Sequence, residues 1–157
     1  MLVNFSRTLT LAANRQDAWN LLRDVKRLAA LIPGIESMVP VDEEKHVATV
    51  VERVGPFRLS LNLEVRIVQA IEPSLLQAEL SGADSHGQNR LSGTLCAELK
   101  EASSVETLLS MDSRVEVTGK LATLGAAPIR RRANELFARF AERLQGQFSP
   151  AGKESTS

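Results

Sequence analysis

The stretch from Thr118 to Phe148 constrains this chain more than any other: TGKLATLGAAPIRRRANELFARFAERLQGQF. At about 100° per residue, Ile129, Ala133, Leu136, Phe137, Phe140, Ala141, Leu144 and Phe148 fall on one arc. Arg131, Arg132, Glu135, Arg139, Glu142 and Arg143 fall on the other. A long amphipathic helix draws its stability from whatever its apolar face covers. Almost everything before it alternates as strands do, so the expected partner is a sheet curved around the helix. The functional question is whether sheet and helix fill the space between them or leave a pocket.

The preceding chain supplies such a sheet. Leu2 to Leu11 places Val3, Phe5, Leu9 and Leu11 on one face, with Arg7 the exception. Asn14 can cap a helix with Asp17 in its first turn, and Ala18, Leu21, Leu22 and Val25 follow at helical spacing beside Trp19. A second short helix, Lys26 to Leu31, stops before Pro33-Gly34. Strands follow over Ile35–Val41, His46–Val54, Phe57–Ile71, Leu75–Leu80, Gln88–Leu99 and Val105–Val117. Pro40 marks the first of these as an edge. Phe57–Ile71 is the clearest, with Phe57, Leu59, Leu61, Leu63, Val65, Ile67 and Ile71 on the buried side. Consecutive strands with short turns form an antiparallel meander. The fold class is α+β, a helix-grip arrangement: a curved antiparallel sheet of about seven strands wrapped on a long C-terminal helix, with two short helices after the first strand. Residues 1–148 read as a single domain and 149–157 as a disordered polar tail.

Composition narrows the function classes. With 19 Lys plus Arg against 19 Asp plus Glu, the net charge is zero, and no electrostatic footprint for nucleic acid exists. Five Phe, one Trp and no Tyr offer few stacking platforms. One cysteine, Cys96, excludes an internal disulfide and a multi-cysteine metal site. No signal peptide and no stretch of about 20 apolar residues is visible, so the expected compartment is the cytoplasm.

Candidate catalytic groups are scarce. His46 and His86 sit at a strand start and in a loop with no acid spaced to orient them, and read as surface residues. Cys96 lies among Ser92, Thr94 and Glu98 on a polar strand face. Asp112, Arg114 and Glu116 read as a solvated ladder. Arg7 is the one charged residue found in an inward register. No cofactor and no metal ligand set is expected. Leu59, Leu61, Leu63, Leu91, Leu95, Leu109 and Met111 could line a cavity under the helix or be ordinary core. Gly119, Ala122, Gly125 and Ala126 offer little bulk where the helix starts. Pro128 is either a hinge or the first turn of a helix that starts afresh. Arg130-Arg131-Arg132 is either a contact for anionic head groups or an acidic partner, or a solvated, self-paired face.

Several signatures together resemble the CoxG family of carbon monoxide dehydrogenase, within the START-like (SRPBCC) superfamily. They are Ala18-Trp19-Asn20-Leu21-Leu22-Arg23-Asp24, Ile32-Pro33-Gly34-Ile35-Glu36, Val54-Gly55-Pro56-Phe57, Gly119-Lys120-Leu121-Ala122-Thr123-Leu124-Gly125 and Leu136-Phe137-Ala138-Arg139-Phe140. They cover roughly residues 3 to 145 in the family's order. The chain departs from the family in the loop from Gly82 to Gly93, where the family is richer in glycine, and in stopping at Ser157, where some relatives carry an anchoring tail. The resemblance implies a non-catalytic accessory protein of molybdenum-containing hydroxylases, with an apolar cavity for a lipid-like or quinone-like molecule. Leu121, Ala122, Leu124 and Phe137 join the expected lining, and Ile32, Pro33, Gly34 and Met38 the expected mouth. A START-like cyclase or hydrolase and a ligand-free assembly factor are the alternatives. Expected partners are the hydrophobic small molecule, a molybdenum hydroxylase complex, at most the inner face of a membrane, and a second copy of the chain.

Overall fold

The structure is a computed structural model that describes residues 1–148; the expected tail, 149–157, lies outside them. Seven strands form one antiparallel sheet: β1 (Leu2–Leu11), β2 (Ile35–Pro40), β3 (Lys45–Val54), β4 (Phe57–Ile71), β5 (Leu75–Ala83), β6 (Asn89–Ser103) and β7 (Glu106–Gly119). Their order is β1-β7-β6-β5-β4-β3-β2, so β2 to β7 meander and β1 closes onto β7. Pro40 lies on β2, an edge strand, where its missing N–H costs no ladder bond.

Helices α1 (Arg15–Arg23) and α2 (Val25–Leu31) follow β1. The Asn14 side chain accepts the Asp17 backbone N–H at 2.8 Å, and Asp24 does the same for Arg27 at 3.2 Å. The second cap went unread in the sequence because Asp24 also ends α1. The final stretch is two elements. A 3-10 turn, η1 (Lys120–Leu124), precedes α3 (Ala126–Gly146), and Gly125 between them has φ 82°, a left-handed conformation that glycine adopts without a Cβ penalty. Pro128 is the third residue of α3, within the first turn, where its missing N–H has no intrahelical partner to lose. Asn89 holds η1 in place: its Oδ1 accepts the Leu121 N–H at 2.7 Å while its Nδ2 donates to Asp84 at 3.0 Å.

The two halves of α3 do different work. Phe140 and Leu144 are buried in the main core with Trp19, Leu21, Leu22, Leu99 and Leu109, and Phe137, Ala141 and Phe148 pack against it. Phe137 lies 5.2 Å from Phe5 and 6.0 Å from Phe140 between ring centroids. Ile129 packs instead on a second cluster of Val3, Val54, Leu59, Leu61, Val117 and Leu121. Helix α3 rests chiefly on β1, with narrower contacts on β3 and α2. Strands β4 and β5 are therefore without extensive close backbone contact from any helix.

One inward assignment and one strand start differ from the sequence reading. Ile71 is 47% exposed, because the β4–β5 register shifts between Ile67 and Gln69 and reverses the facing of the residues beyond the shift. Val105, the expected first residue of the last strand, lies instead in the turn before β7 and is 67% exposed.

Candidate functional site

Two apolar cavities occupy the space between the sheet and the helices. The first, about 290 Å³, lies under the N-terminal half of α3, with Ile129, Ala133 and Leu136 above Leu59, Leu61, Leu91, Val115 and Val117. The second, about 330 Å³, lies under α2 and the Ile32-Pro33 segment, over Ala48, Leu63, Val65, Ile67, Ala78, Leu80, Leu95 and Ala97. They adjoin, since Pro33 and Val50 line both. Alternate residues of β4 thus face first one cavity and then the other. Leu63, Val65 and Ile67 point inward yet are only half-buried, as side chains bordering a void must be. Each volume is near the lower end of small-molecule sites.

Placement of the expected lining is uneven. Leu59, Leu61, Leu91 and Leu121 line the first cavity; Leu63, Leu95, Ile32 and Met38 line the second; Pro33 lines both. Leu109 is fully buried in the main core and Met111 packs on that core. Phe137 packs there too, while Ala122 and Leu124 pack on the second cluster. Gly34 lines neither cavity; with φ 88° it turns the chain into β2, and its carbonyl accepts the Val51 N–H at 2.8 Å.

Three polar residues at these cavities correct the sequence reading. His46 is not a surface residue: it is 9% exposed and lines the second cavity. Glu52 lines the first cavity, as does Arg132, which belongs on the inner edge of α3 and not on its wet face. Arg132 Nη2 donates to Glu52 Oε1, and Nη1 donates to Glu135 at 3.3 Å. Burial alone would push the Glu52 carboxyl up. The hydrogen bonds from Arg132 and the Arg53 backbone, with the charges of Arg132 and Arg139, outweigh that and hold it below the ordinary 4.5. Arg132 is correspondingly raised, first by its hydrogen bond to Glu52. Its Nε is buried without a hydrogen-bond partner among the described residues. Arg7, the inward charge expected from sequence, is exposed; its guanidinium lies over Phe5 and Phe137 and donates to Asn134 at 2.9 Å.

The missed residues had a signal. Strand β3 carries apolar residues on both faces, so its own alternation is ambiguous. Counting back across the Gly55-Pro56 turn against β4 resolves it. Glu52 pairs with Leu59 and His46 with Val65, and directly opposed antiparallel residues share a face. Arg132 is three residues after Ile129 and four before Leu136, which puts it at the edge of the apolar arc.

The model of the CoxG family of carbon monoxide dehydrogenase matches residues 8–149. No curated protein matches the chain. Among solved structures, a conserved protein from Geobacillus kaustophilus is similar at 19% identity and a TM-score of 0.85, over 93% of this chain and 95% of that one. A START superfamily protein from Mycobacterium smegmatis is similar at 17% identity and a TM-score of 0.67, over 92% and 96%. Zhui aromatase/cyclase from a Streptomyces species is similar at 13% identity and a TM-score of 0.67, over 97% and 99%. The fold is START-like, and that fold alone carries both binding proteins and enzymes.

Proposed function

The chain belongs to the CoxG family of carbon monoxide dehydrogenase, and from that premise we propose a non-catalytic accessory protein of a molybdenum-containing, carbon monoxide dehydrogenase-like hydroxylase system. Its task is to hold an apolar lipid- or quinone-like molecule between sheet and helices. The observation that carries this reading is the pair of adjoining cavities lined almost wholly by aliphatic side chains. Such a lining suits an acyl or isoprenoid chain and offers a polar substrate little. In this reading the protein works in the cytoplasm and touches the membrane only at its inner face. No helix of the described residues is long and apolar enough to cross a membrane.

An enzymatic reading would draw on two ionisable features, the Glu52–Arg132 pair at the first cavity and the lone His46 at the second, whose lining holds no acid or nucleophile beside it. The pair argues against general acid–base work all the same. A carboxylate held below its ordinary pKa by a guanidinium is a poor acid at neutral pH and a weak base, and its Oε1 is already engaged by Arg132 and the Arg53 N–H. Native mass spectrometry of gently purified protein, followed by solvent extraction, tests the proposal. A bound hydrophobic molecule, or a rise in melting temperature on adding a long-chain quinone or lipid, is the expected result. Protein at its bare mass with no thermal response to either would leave an assembly factor acting through its surface.

A further inference from the structure

The second cavity has eighteen lining residues, and His46 is the one with a polar side chain. His46 is 9% exposed, and no hydrogen bond to its ring occurs among the described residues. Unlike Arg132 Nε, the ring nitrogens are not sealed from solvent, so they are open to a partner that enters the cavity. His46 also lines an adjacent hollow of about 360 Å³, which shares Leu22, Val25, Ile67 and Leu76 with the cavity and adds the exposed Arg23, Asp42 and Glu43. The imidazole therefore stands between an enclosed apolar chamber and an outer hollow that carries charged residues.

We infer that His46 is the head-group reader of this cavity: a chain lies inward among Leu63, Leu95 and Ala78, and a neutral oxygen at its end meets the imidazole. An imidazole N–H can donate to a ketone or quinone carbonyl, and a hydroxyl can in addition donate to an unprotonated ring nitrogen. A charged head group fits poorly, because the chamber holds no counter-charge and the charge would enter unpaired. Asp42 and Glu43 together outweigh Arg23 at the outer hollow, and that net charge further opposes a carboxylate. Entry is then between α1 and the start of β3, with the oxygen end last.

The assignment presupposes that the cavity holds a ligand, and the test separates the two. Calorimetry and thermal shift are run on the whole chain with decane, 1-decanol, a decyl-substituted benzoquinone and decanoate. Wild-type protein is expected to bind the alcohol and the quinone about tenfold tighter than decane, and decanoate no better than decane. His46→Phe should bind all four alike; His46→Gln, which keeps a donor and an acceptor, should retain the preference. Tighter binding of the quinone over the alcohol, or the reverse, identifies a redox carrier or a simple lipid as the source. Imidazole nitrogen resonances of wild-type His46, which need no variant to fold, should move with decanol and not with decane. Retention of the preference in His46→Phe, or equal resonance shifts with both probes, overturns the head-group assignment alone. If no probe affects the wild-type protein, the ligand-holding role falls, and the assignment with it.

Discussion

A matched pair of substitutions tests whether the space under the helices is a void. Ala78 and Ala18 are both buried, at 5% and 1% exposure. Ala78 on β5 lines the second cavity, whereas Ala18 on α1 belongs to the packed main core. Phenylalanine adds bulk with no polar atom to satisfy. At Ala18 it has nowhere to go, and overpacking costs about 1–3 kcal/mol, with a few tenths more for lost helix propensity. At Ala78 the ring enters a volume of about 330 Å³ and removes apolar surface from water. Fully burying such a ring stabilises by roughly 1.5–3 kcal/mol against leaving it exposed. Higher strand propensity acts in the same direction by up to about 1 kcal/mol. Ala78→Phe should therefore be neutral or mildly stabilising, and Ala18→Phe should be lower by about 2–5 kcal/mol. For a chain of this size 1 kcal/mol moves Tm by about 2–4 °C, so the two variants should separate by at least about 4 °C. Thermal unfolding followed by circular dichroism reads this directly. Ala78→Phe should also lose the thermal response to a long-chain quinone. Equal losses of Tm in the two variants would refute a void at Ala78.

Glu52→Gln breaks the ion pair with Arg132, whose side chains are 16% and 22% exposed, and should cost about 1–3 kcal/mol at neutral pH. Because the folded-state pKa of Glu52 is depressed, this contribution is complete above 4.5 and is lost as pH falls through the folded value. The wild-type and Glu52→Gln melting temperatures should therefore converge in acid; an undiminished gap at about pH 2, well below the ordinary range of carboxylates, contradicts the assignment. Gly93→Ala should destabilise by more than about 1 kcal/mol, since a Cβ there would collide with the Arg114 carbonyl of β7 and force the two strands apart; an unchanged denaturant midpoint would show that the β6–β7 pairing can give way.

What the sequence determined by itself was everything that periodicity and local chemistry encode. The alternation of β4 from Phe57 to Ile67 specifies its facing because one side is apolar and the other carries Arg58, Ser60, Asn62, Glu64 and Arg66. Asn14 caps α1, Pro40 stays at an edge, and the amphipathic arc of α3 requires a sheet beneath it, all for reasons internal to a few residues. Tertiary structure alone decided which inward residues border a void and which fill the core. Leu95 and Leu109 are indistinguishable by alternation, yet one lines a cavity and the other is wholly buried. The difference arises because α3 rests on β1 with its phenylalanines, beside Leu109, while Ile129 of its other half packs on Val3, Val54, Leu59, Leu61 and Val117 and not on Leu95. The facing of His46 and Glu52 is likewise a property of pairing. A strand with valines on both faces carries no phase of its own, and only the register against β4 turns these two groups inward.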